Sequence, residues 1–266
     1  DPMLWLGAYA VTGALVGFLA GLLGIGGGMT LVPVLAAMFV AQQLTPDHTV
    51  HLALGTAMAS IVFTSSASVR EHHRHAAVDW QVVKRMVPGM LLGALISTVA
   101  TGWIAQRTLA LAFATIVFAG ATQILIGRKP AAHAAMPGAP VVFGVGTVIG
   151  VISGLVSAGG TFLTVPFMLY CGVRMHTAIG TGAAIGIPVA LVGSIGYIIS
   201  GWRVDALPSW SLGFVYLPAL ALLVAGSIIT APIGARAAHK LPVSTLRRVF
   251  ACLLFVLATK MVVTYW

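Results

Sequence analysis

Charge is what this chain has least of. Only 7% of its 266 residues are Asp, Glu, Lys or Arg, and only 5 of those are acids. With 59% hydrophobic residues and a mean hydropathy of +1.03, no charged shell is available to solvate a globule of this size, which excludes a soluble domain. Cysteine is nearly absent. Cys171 and Cys252 both lie in apolar segments, so a disulfide scaffold is excluded. HExxH and GxSxG are missing, and no two carboxylates share an apolar segment, so no catalytic residue, metal site or enzyme activity is expected. Asp1, Asp47, Glu71, Asp79 and Asp205 all fall at the expected ends of apolar segments or in loops. Proton coupling through the membrane is thereby left to histidines or loop-edge acids. Apolar segments recur along the whole length, which excludes a lone secretory signal. Asp1-Pro2 ahead of Met3 reads as a cleavage scar.

What is present is a polytopic, all-α membrane protein with a duplicated core. Gly17–Pro33 reads GFLAGLLGIGGGMTLVP and Gly150–Pro166 reads GVISGLVSAGGTFLTVP; 7 of 17 aligned positions are identical. A second echo follows each copy, HLALGT from His51 and HTAIGT from His176. The first pair is offset by 133 residues and the second by 125, so only a connecting loop changed length. Three parts follow: a first transmembrane repeat over 1–127, a cytoplasmic linker over 128–138 and a second repeat over 139–266. Each repeat is a broken, re-entrant-like helix hairpin followed by three spans. In the first, Leu4–Leu23 and Met29–Ala41 flank the break, and spans follow at Val50–Ser68, Gln81–Gly102 and Thr108–Ile126. In the second, Ala139–Val156 and Thr161–Cys171 flank it, with spans at Thr177–Ile199, Ser209–Thr230 and Thr245–Tyr265.

Basic residues set the orientation. With Arg70–Arg85 in the cytoplasm, Arg128, Lys129, Arg174, Arg236, Lys240, Arg247 and Arg248 share that side, while Arg107, Arg203 and Lys260 face the other. This makes the two halves inverted repeats and places both termini on the periplasmic side. The net charge of +9 reflects such basic loops at an anionic bilayer surface, not a nucleic-acid partner.

Duplicated Gly/Pro breaks in matching segments point to a transporter's binding site. Each break starts a new helix, whose free N–H groups and positive dipole end favour an anion without a charged side chain. The expected substrate-binding residues are Gly26, Gly27, Gly28, Thr30, Gly159, Gly160, Thr161 and Thr164, with Thr56 and Thr181 from the second echo lining the same site. Those two hydroxyls are equally able to bond their own helix backbone. His51 and His176 start their spans and are candidate gate or mouth residues; an interfacial histidine is the competing reading. The GxxxG at Gly17 and Gly21, taken alone, reads as helix packing. Glu71-His72-His73-Arg74-His75 matches no zinc spacing and reads as a solvated cytoplasmic loop anchor.

GLLGIGGGMTLVPVL from Gly21, HLALGTAMAS from His51, SGLVSAGGTFLTVPFM from Ser153, HTAIGTGAAIG from His176 and GSIITAPIGARAAHKLP from Gly226 together resemble the TauE/SafE family, the sulfite exporter or toluenesulfonate uptake permeases. The resemblance covers both halves. It implies a bacterial inner-membrane permease for sulfur-containing anions, sulfite or organosulfonates, without a cofactor. The residues alone reach only a small anion. An inside-negative potential drives an anion outward by about 2.3 kcal/mol per charge per 100 mV, so potential-driven export needs no coupling ion. An uptake permease, an anion channel and a histidine-based membrane enzyme or cofactor-binding protein are the alternatives.

Overall fold

Glycine and proline divide the apolar chain into helices of two lengths. The computed structural model describes residues 2–23, 27–126, 135–238, 240 and 243–266. In chain order the helices are α1 (Pro2–Leu23), α2 (Gly28–Ala41), α3 (Thr49–Arg74), α4 (Trp80–Ala100), α5 (Gln106–Ile126), α6 (Ala139–Val156), α7 (Thr161–Tyr170), α8 (Met175–Gly201), α9 (Leu217–Ala238) and α10 (Val243–Tyr265). Eight of them are long and apolar enough to cross a bilayer. The exceptions are α2, with 14 residues, and α7, with 10. The fold is therefore that of an all-α polytopic membrane protein.

The missing side chains of glycine set how closely helices pack. On α1, Gly13 lies against Leu223 of α9, Gly17 against Ser227 and Gly21 against Ala231, so α1 and α9 run parallel. The GxxxG pair is thus a packing stripe, as its spacing alone indicated. A Cβ at Gly17 would lie 2.5 Å from Ser227 Cα. Gly17→Val is expected to push the two helices apart and cost about 1–3 kcal/mol, measurable as a lower Tm in detergent. The same device joins α4 to α6: Gly89 lies against Phe143, Gly93 against Thr147 and Gly150 against Met90, again in parallel.

α3 forms the centre. It packs on α8 and on α9, while α4 also packs on α8 and α5 on α10. Exchanging α1–α5 for α6–α10 maps α1·α9 onto α6·α4 and α3·α9 onto α8·α4. Met58 meets Gly193 and Ser65 meets Gly186, so α3 and α8 run antiparallel. Thr56 meets Tyr216 and Glu71 meets Arg236, so α3 and α9 run parallel.

One end of the bundle collects the cations. The last turns of α3 and α9 bring Arg70, Arg74 and Arg236 there, Lys240 follows just past α9, and α4 starts there with Lys84 and Arg85. Arg107 lies 5.6 Å from the Trp266 ring at the opposite end, where α5 begins and α10 finishes. Two sequence expectations are corrected. α3 does not stop at Ser68 but continues through Arg74, and Glu71 is only 7% exposed rather than solvated. The stretch from Ser209 does not begin a span: Ser211–Leu212 and Val215–Tyr216 pair as a two-stranded hairpin ahead of α9. Its turn residue Gly213, at φ +53, packs on the Ile198 backbone, which bends an otherwise apolar run.

Candidate functional site

Both breaks fold the chain back on itself. After α1, Gly27 returns to lie against Val16 and Ala20 of that helix. α2 then runs back beside the start of α1, where Gln42 Nε2 donates to the Tyr9 hydroxyl at 2.6 Å. Gly27 adopts φ 70, ψ −16 and Gly160 adopts φ 87, ψ −23, each immediately before its short helix. These left-handed conformations are the physical reason for the duplicated glycines, because a Cβ there is strained.

The two breaks meet. A Cβ on Gly28 would collide with the Ser157 carbonyl oxygen, so the backbones of the two tips touch. Ile61 of α3 sits against both Gly28 and Gly159. Met90 of α4 covers Gly160, and Gly186 of α8 lies beside the Gly159 carbonyl. The N-termini of α2 and α7 thus converge on buried ground: Met29 is 0% exposed and Thr161 1%. An α-helix leaves its first N–H groups without intrahelical acceptors, so this junction offers donors and two positive dipole ends. The described acids lie elsewhere, Asp47 and Asp205 in loops, Glu71 near the end of α3 and Asp79 capping α4 by accepting from Gln81 and Val82 N–H.

The expected residues divide into three groups. Gly27, Gly28, Gly159, Gly160 and Thr161 are at the junction; Gly26 lies outside the described residues. Thr30 belongs with them: its hydroxyl is buried and has no hydrogen-bond partner. Thr164 is buried, but its hydroxyl donates to the Gly160 carbonyl at 2.6 Å, within its own helix.

Thr56 and Thr181 are engaged differently. The Thr56 hydroxyl accepts from Tyr216 N–H at 2.9 Å, and the Thr181 hydroxyl accepts from Asp79 N–H at 2.8 Å. Beside them, Gly55 abuts the Phe214 carbonyl and Gly180 the Ala77 carbonyl. The echoed Gly-Thr pairs therefore make one clamp twice, each gripping the chain just ahead of α9 or α4. Sequence reasoning placed these hydroxyls on the substrate or on their own helix; the partners are backbone groups of the other half. His51 is not at an open mouth: it is 2% exposed, with Nε2 3.1 Å from the Thr101 carbonyl and 3.0 Å from that of Ile104. His176 is exposed in the first turn of α8.

Ser157 escaped the sequence reading as a site residue. It sits at φ 51 and is fully buried, and its hydroxyl donates to the Leu54 carbonyl of α3 at 2.8 Å. Tyr197 of α8 donates to the Gly154 carbonyl at 2.7 Å, fixing the end of α6. A buried tyrosine about six turns along α8 carried no sequence signal for this.

Eight spanning helices around two meeting helix breaks define a membrane transporter fold, and comparison with known proteins agrees. The family described as "Sulfite exporter TauE/SafE" matches residues 9–261, and the chain belongs to that family. A "Probable membrane transporter protein" of Haemophilus influenzae is 36% identical over 254 residues, covering 94% of this chain and 96% of that protein. One of the same description from Xylella fastidiosa is 28% identical, covering 96% and 94%. "Probable membrane transporter protein YunE" of Bacillus subtilis is 26% identical, covering 72% and 77%. No solved structure matches the chain.

Proposed function

We propose that the protein exports a small sulfur-containing oxyanion, sulfite or an organosulfonate, by alternating access, with the membrane potential as driving force. One observation carries this reading: the two breaks meet, with Gly28 at the start of α2 against the Ser157 carbonyl and Ile61 against both Gly28 and Gly159, and the Thr30 hydroxyl two residues into α2 is buried and unpartnered. Donors and dipoles without a fixed counter-charge suit an anion. The family description supplies the sulfur chemistry.

In this reading residues 1–127 and 139–266 are two inverted repeats joined by a cytoplasmic linker. The opposite directions of α3 and α8, and of α9 and α4, support it. Gly27, Gly28, Thr30, Gly160 and Thr161 bind the oxyanion, and the halves rock about α3 and α8. The basic end faces the cytoplasm of a bacterial inner membrane, and both termini face the periplasm.

Sulfite flux into proteoliposomes tests this, with a potassium-set potential, no pH gradient and a sulfonate panel as competitors. Saturable, potential-driven flux is expected, and the competition order ranks the substrates. Flux only with a proton gradient overturns the uncoupled mechanism. No flux of sulfite or any sulfonate under either gradient removes the substrate class.

A further inference from the structure

α3 carries a polar stripe that its repeat partner lacks. Ser60, Thr64 and Ser68 follow at four-residue spacing, all buried, and Glu71 stands in the next turn. Four-residue steps keep them on one face, about 16 Å long from Ser60 to Glu71. The stripe starts beside Ile61, which touches both breaks, and finishes at the basic end of the bundle. Thr64 donates to the Ser60 carbonyl and lies 3.0 Å from the Ser227 hydroxyl of α9. Ser68 is 3% exposed and its hydroxyl has no partner. On α8 the positions matched by the second echo are Ile185, Val189, Gly193 and Gly196. At these four positions α8 packs without a hydroxyl or an acid, so packing does not require the stripe.

Glu71 closes this stripe loosely. Its carboxylate lies 3.4 Å from Arg236 Nε and 3.8 Å from Arg74 Nη1, while His75 Nδ1, 3.8 Å away, bonds the Glu71 carbonyl at 2.9 Å. The two arginine side chains are 67% and 58% exposed, but the carboxylate side chain is only 9% exposed. None of the three carboxylate distances is that of a good charge-assisted hydrogen bond. A buried carboxylate without short bonds is poorly compensated, and the guanidiniums beside it retain unused donors.

We infer that Arg236 and Arg74 form a second oxyanion station at the basic end of the transport route, with the Glu71 carboxylate as its tethered occupant. A mobile oxyanion takes the two guanidiniums when Glu71 swings away, and Ser68 and Thr64 carry it toward the breaks. The station rests on the anion-transport reading above.

The test reads access and flux separately. In full-length protein with Cys171→Ala and Cys252→Ala, Ser68→Cys is exposed to an anionic sulfonatoethyl and a cationic trimethylammonioethyl methanethiosulfonate from the Arg236 face. The anionic reagent is expected to react faster, by about three- to fivefold, the size of a partly exposed charge contact. Arg236→Gln should abolish that preference and Arg236→Lys should keep it. Glu71→Gln should increase it and lower the KM for sulfite from that face only. An inert Ser68→Cys, or an anion preference unchanged in Arg236→Gln, overturns the station whatever the flux. Anion-selective labelling in a protein that carries no sulfite or sulfonate upholds the station and removes the substrate assignment instead.

Discussion

Gly28→Ala is expected to reduce sulfite flux by about 100-fold, the order of loss that accompanies a displacement of about 1 Å at a reacting or binding centre. The reason is local. Gly28 is the first residue of α2 and is not among the residues at positive φ, so alanine suits its backbone. Its added Cβ meets the Ser157 carbonyl, a backbone atom that cannot rotate aside. Ser157 is held in turn by its bond to the Leu54 carbonyl, so the two tips must part. Gly13→Ala makes the control. Its added Cβ also meets a backbone carbonyl, that of Leu223 on α9, but on the α1–α9 packing stripe and not at the breaks. The stability losses of the two variants should be similar, about 1–3 kcal/mol for Gly28→Ala, while flux falls far more in Gly28→Ala. Flux in proteoliposomes and Tm of the same preparations measure both. Wild-type flux from Gly28→Ala would remove the contact between the breaks from the route.

The breaks were legible in the sequence because their cause is local. A glycine that must take a left-handed conformation before a new helix leaves a mark that duplication repeats, and Gly27 and Gly160 share it within 20° in both angles. Partners were not legible. The Gly-Thr echo was visible, but Tyr216 and Asp79 lie 160 and 102 residues from the hydroxyls they bond. Only the fold brings them together. Glu71 shows the same limit. Its neighbours in sequence are charged and predict a solvated loop, whereas Arg236 arrives from α9 and lets α3 continue with the carboxylate turned inward. The hairpin before α9 was hidden by composition, since the residues from Trp210 to Tyr216 are mostly apolar and differ from a span only by the turn at Gly213.

Thr30→Val and Thr56→Val should separate binding from architecture. Valine preserves the shape of threonine and removes the hydroxyl. At Thr56 that leaves Tyr216 N–H without its acceptor next to a fully buried side chain, at a cost of about 1–3 kcal/mol. Thr181→Val does the same to Asp79 N–H and should cost a similar amount, because the two clamps have the same geometry. Neither should alter the KM for sulfite once the surviving folded protein is counted. Thr30 is the reverse case. Its hydroxyl has no partner in the fold, so burying a methyl in its place loses no bond and relieves an unsatisfied polar group. The Tm of Thr30→Val should equal or exceed that of the parent. Its KM for sulfite should rise about tenfold, the worth of one hydrogen bond to a charged ligand at about 1.5 kcal/mol. Thermal melts and saturation of flux, measured on all three variants, decide it. An unchanged KM in Thr30→Val would take the hydroxyl out of the anion's shell, and a raised KM in Thr56→Val at full stability would put that one back.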